Sequence, residues 1–115
     1  MSIELVHEEP RRYTRDEAIA AFDSEDAVVV ARALVGVSFY DADWRWVQSQ
    51  CVRLSTHPSP NVRGLVVTCF GHIARIHRVI DRQVVDPVLD RLAADPDPSV
   101  SGRVNDARDD FEMYL

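Results

Sequence analysis

The chain has 115 residues, 46% of them hydrophobic and 28% charged, which is the composition of one globular domain and of neither a disordered tail nor a membrane protein. No stretch approaches the roughly eighteen uninterrupted apolar residues of a membrane span, and MSIELVHEEPRR lacks the basic, apolar, small-residue order of a signal peptide, so a cytoplasmic location is expected. The formal net charge of -6 disfavours a nucleic-acid backbone as partner, since that contact needs clustered Lys and Arg, and it suits a basic protein.

Residues 1–12 show no helical period and form an expected arm, loose or late to dock, ahead of one domain over 13–115. Thr14 followed by Glu17 is a capping box, each side chain satisfying an orphan backbone N–H, and it predicts a short helix carrying Ala18, Ile19 and Phe22. Ser24 is placed to cap a second helix running to about Tyr40, with Glu25 and Asp26 in its positive first turn. Its valine run also resembles a strand, but Ala27, Ala31, Ala33 and Leu34 favour helix and no turn residue interrupts the run.

Asp43 caps a third predicted helix, in which Trp44, Val47, Cys51 and Leu54 recur at three- and four-residue spacing as one buried stripe. His-Pro-Ser-Pro at 57–60 ends it. A fourth begins at Asn61 with Val62, Val66, Cys69, Ile73, Ile76 and Ile80 on one face. Asp81 caps a fifth with Val85, Leu89 and Leu92; Pro87 either kinks it or marks its start, with Asp86 as cap. The sixth follows Asp95-Pro-Asp-Pro98 and carries Val100, Val104, Ala107 and Phe111. Cys51 and Cys69 both fall inside apolar helical patterns, so core thiols are expected and not a disulfide.

A shift of 38 residues lays HPSPNVRGLVVTCFGHI at 57–73 over DPDPSVSGRVNDARDDF at 95–111, matching both prolines, a valine, the glycine and the next valine. The same shift sets Asp43 on Asp81, Val47 on Val85, Cys51 on Leu89 and Leu54 on Leu92. A two-helix unit of this length cannot bury its apolar face alone, so stacked units forming one continuous core are expected: an all-α, α/α superhelix of about three pairs, over 14–40, 43–80 and 81–115.

The proline turn, Val62-Arg63 at a helix start and the inner valine spacing resemble HEAT and phycobilisome-lyase-type repeats. Trp44-Arg45-Trp46-Val47-Gln48, His57, Val62-Arg63-Gly64, the run Gly71-His72-Ile73-Ala74-Arg75-Ile76-His77, Gly102-Arg103-Val104 and Asp109-Asp110 resemble a family of short bacterial HEAT-like proteins. Some of these are immunity proteins of contact-dependent growth inhibition and related polymorphic toxin systems. The resemblance covers 14–115 and departs from the pattern at Ser101 and Asn105. It implies a protein that binds and neutralises a cognate toxin domain, such as a basic nuclease; a general HEAT-like scaffold or adaptor without a toxin partner is the alternative.

No glycine-rich phosphate loop, GxSxG elbow or HExxH is present, so no catalysis and no cofactor are expected. His72 and His77 are five apart, about 140° around a helix, and cannot share a metal ion as an i, i+4 pair could. His72 is then either a polar contact in a groove or a satisfied, partly buried side chain. Trp44 and Trp46 point in different directions; Trp44 fits the core stripe, and Trp46 either packs on the first pair or stands as an exposed aromatic anchor. Arg63 at a helix start calls for an acidic partner from the next unit. Asp106, Asp109 and Asp110 form either a solvated face or an anionic patch for a basic toxin surface. Because the second helix of each pair lines the concave surface of such solenoids, Val37, Tyr40, Thr68, His72, Arg75, Asp106, Asp109 and Asp110 are the candidate gripping residues, with Trp46 beside them. Repeat edges also self-associate, which leaves a monomer or a weak homodimer.

Overall fold

The computed structural model describes residues 10–115, all-α with seven helical segments: α1 (Arg15–Phe22), α2 (Ala27–Tyr40), α3 (Trp44–Leu54), α4 (Pro60–His77), α5 (Arg82–Ala93), α6 (Pro98–Ser101) and α7 (Val104–Tyr114). The expected arm over 1–12 lies outside the described residues as far as residue 9. Its last part is docked: the Arg11 carbonyl and the Tyr13 ring lie so close over Gly36 that a Cβ there would come 2.6 Å from the ring, and Arg12 stacks 4.4 Å from the Tyr40 ring.

Helix starts follow their caps. Thr14 and Glu17 form the reciprocal box, and Asp43 and Asp81 accept from the Trp46 and Gln83 N–H groups. Asp26, not Ser24, caps α2: Asp26 accepts from the Val28 N–H, while Ser24 accepts from the Asp26 N–H and shapes the turn before it. α4 starts one residue earlier than Asn61, with Pro60 in its first turn, where a missing N–H costs nothing. Pro87 sits inside a continuous α5, so the helix does not begin there. The sixth predicted helix is two segments broken at Gly102-Arg103, so Gly102 lies in a break and not within a helix. α4 ends at Arg78, which takes the left-handed conformation with φ 57°.

In chain order the helices fall as α1 with α2, α3 with α4, and α5 with α6–α7, successive members being joined by short turns and in contact. α4 is the centre, packing on α2 on one side, α7 on the other and α3 beneath. It buries Cys69 together with Val62, Val66, Phe70 and Ile73, each of these four worth about 1.5–3 kcal/mol in area removed from water. Both cysteines are free and buried, as the helical pattern implied. Ile76 is exposed, Ile80 is buried in the turn beyond the helix, and Ile19 is exposed on α1. Val37 is buried in the core and cannot belong to a gripping surface.

The first helices of the pairs are tied by polar side chains reaching each other's ends. Arg15 donates to Asp43, the cap of α3, at 2.7 Å, and Gln48 accepts from the backbone N–H of Asp81, the cap of α5, at 2.8 Å. Arg63 forms a two-pronged pair with Asp95 at 2.8 and 3.2 Å and donates to the carbonyls of His57 and Pro58, joining the turns of the second and third pairs as its position required.

Candidate functional site

With three faces of α4 covered, one stripe stays open, and Thr68, His72 and Arg75 occupy it at spacings of four and three residues. Asp106 and Asp110, one turn apart on α7, stand opposite. Together with Arg103 they line a cleft of about 310 Å3 between the two helices. Gly71 makes room for the Asp110 carboxylate: a Cβ there would lie 2.5 Å from its oxygen, while the Ala107 Cα would stand at an ordinary contact distance of 3.7 Å. Arg103 donates to the Thr68 hydroxyl at 3.1 Å and ties one end of the cleft together.

His72 is partly buried, its ring edge-on to Phe39 with centroids 4.9 Å apart. Its Nδ1 is shut off from solvent and has no hydrogen-bond partner among the described residues. Burial pushes its pKa down, the nearby Arg75 adds to this, and Asp110 opposes it, so the imidazole is neutral at pH 7. Phe39 and Ile76 are 44% and 45% exposed, Phe39 against His72 and Ile76 one turn beyond it on α4, which gives the cleft an apolar border.

Five of the expected gripping residues, Thr68, His72, Arg75, Asp106 and Asp110, therefore meet in one place. Tyr40 is exposed outside the cleft, joined to it through Phe39, whose ring centroid is 6.4 Å from its own. Asp109 is exposed and does not line the cleft: in the 38-residue register it matches Gly71, on the side that α4 turns toward α7. Trp46 is away from the cleft, half-buried against the core with Arg15 stacked 4.7 Å from its ring, so packing on the first pair is the alternative the structure takes. Arg103, Phe39 and Ile76 are additions to the set. The register pointed to the facing helices, since it pairs Thr68 with Asp106 and His72 with Asp110, but Arg103 enters only through the break at Gly102.

The cleft belongs to a fold with a solved counterpart. A chain in the crystal structure of a CDI complex from Cupriavidus taiwanensis LMG 19424 is similar to this one. The two superpose with a TM-score of 0.81 at 27% sequence identity, over 93% of this chain and 95% of that chain. The sequence matches no protein-family model and no curated protein.

Among the described residues, no group of three or more His, Cys, Asp and Glu is placed to hold a metal ion, and no helix is long and apolar enough to cross a membrane. The cleft combines fixed charges of both signs, a neutral imidazole and an apolar rim.

Proposed function

We propose that this chain is an immunity protein of a toxin system, binding and neutralising a cognate toxin domain by protein–protein contact through the cleft between α4 and α7. The observation that carries the reading is the similarity to a chain of a CDI complex over nearly the full length of both chains, in line with the Gly71–His77 run and the other motifs resembling CDI immunity proteins. The three helix pairs are read as HEAT-like units that hold this face rigid, acting in the cytoplasm without catalysis. The net charge of -6 favours encounter with a basic toxin, and a nuclease, whose phosphate-binding groove is basic, is the class it suits.

Co-expression with the product of the gene directly upstream, scoring growth and co-purification together, tests the reading. Rescue of growth with a one-to-one complex is expected. A harmless neighbour and no complex would discard it in favour of a general protein-binding scaffold.

A further inference from the structure

The surface assigned to the toxin is not an acidic surface. Although the chain carries a net charge of -6, the cleft is lined by two arginines, Arg75 and Arg103, and two aspartates, Asp106 and Asp110. A toxin contact built only by imitating a nucleic-acid backbone would leave out the arginines.

These charges are also not spent on one another. All thirteen basic residues, counting Lys and Arg together, are arginine. Most are visibly engaged: Arg15, Arg53, Arg63, Arg82 and Arg108 on carboxylates, Arg91 on Ser55, and Arg12, Arg45 and Arg78 on aromatic rings. Arg103 is held by Thr68. Among the arginines of the described residues, Arg75 alone has no hydrogen bond, ion pair or ring contact, although it lines the same cleft as Asp106 and Asp110, whose carboxylates have none either. Its place in the last turn of α4 explains a positive charge near the helix C-terminus but not an empty guanidinium fork. That fork matches a carboxylate in a two-pronged geometry, and two carboxylates one turn apart suit a cation between them. Phe39 and Ile76 at the border would exclude water from such pairs once a protein surface covers them. A phosphate would meet Arg75 but be repelled by Asp106 and Asp110, so a polypeptide carrying both signs fits better.

Resting on the immunity reading, we infer that the toxin presents a reciprocal charge pair to this cleft: a carboxylate taken by Arg75, and a neighbouring basic side chain taken by Asp106 and Asp110. Recognition of the cognate toxin lies in this pair, while the overall acidity speeds encounter.

The test turns on the sign of one substitution. Arg75→Glu makes the chain more acidic, so a contact governed by acidity alone holds or tightens with a basic toxin. In a reciprocal pair it weakens at least about a hundredfold, and Arg75→Ala about tenfold. Affinities of wild type, Arg75→Ala, Arg75→Glu and the double variant Asp106→Asn/Asp110→Asn would be measured by titration with the purified upstream-encoded toxin domain, with thermal melts to verify that each variant folds like wild type. Loss in the Arg75 variants and in the aspartate pair is the expected result. Undiminished binding by Arg75→Glu overturns the charge pair and leaves the immunity reading standing; absence of a wild-type complex overturns both.

Discussion

Arg53 and Arg91 stand 38 residues apart and make the same contact: each reaches back from one first helix to the C-cap residue of the first helix before it, Arg53 to Asp23 and Arg91 to Ser55. The repeat is therefore one of function within the fold as well as of spacing.

The two contacts differ in burial, and so should their worth. Arg53 and Asp23 are both exposed, so Arg53→Ala is expected to cost at most about 0.5 kcal/mol, and less in high salt. Ser55 is buried and its hydroxyl, which also donates to the Val52 carbonyl at 2.6 Å, loses its accepted bond from a charged donor, so Arg91→Ala is expected to cost about 1–1.5 kcal/mol. Urea unfolding of both variants checks the order; equal losses would deny that burial sets the difference.

Arg63 should matter more than either. It and Asp95 are mostly buried, with side chains 17% and 8% exposed, and its fork also holds two carbonyls of the preceding turn. Arg63→Ala leaves the Asp95 carboxylate without its cation, and a loss of about 2 kcal/mol is expected. Arg63→Lys, which keeps the charge but not the fork, should recover only part of it in the same unfolding experiment.

Stability should fall in two steps on acidification. Burial lowers the pKa of both His57 and His72, with Arg63 and Arg75 respectively adding to it, so their protons bind more readily in the unfolded chain. Stability is full above the unfolded imidazole value of about 6.5 and is lost as pH falls through the lower folded values. In His57 the neutral ring also accepts the Ser59 N–H at 3.0 Å, a bond that protonation of Nδ1 removes. The second step comes below about 4, where Asp95, held down by Arg63, and Asp43, held down by Arg15, are protonated. Melting temperatures across pH 3–8 should show both, and His57→Gln with His72→Gln should remove the first.

Two glycines give opposite expectations for alanine. At Gly36 the added Cβ meets the Arg11 backbone and the Tyr13 ring, which cannot both yield without undocking that segment, so a loss of about 1–3 kcal/mol is expected. At Gly71 it meets the end of the Asp110 side chain, which can rotate away. Gly71→Ala should therefore change melting little and instead weaken the toxin complex, by moving Asp110 out of the cleft. A Gly71→Ala protein that binds normally would place Asp110 outside the contact.

Much of this was legible from residue order. Thr14 with Glu17, Asp43 and Asp81 announced their helices because a cap is a local hydrogen bond between residues two or three apart. Ser24 and Asp26 are both residue types that cap helices, so the expected cap, Ser24, stands two residues before Asp26, which accepts from the Val28 N–H. Val37 and Thr68 both lie on second helices, yet one is core and the other lines the cleft. That difference depends on which neighbour covers each face.

By itself the sequence determined most of the helices and their caps, the 38-residue register, the core positions Val62, Val66, Cys69 and Ile73 of α4 and the need for a carboxylate at Arg63, all consequences of short-range periodicity and capping. The tertiary structure alone decided that Gly71 makes room for the Asp110 carboxylate, that Arg103 reaches Thr68, and that Arg75 remains unpartnered beside two aspartates. Those facts concern side chains about 30 or more residues apart in the chain, whose distances are set by how the helices stack and by no local rule.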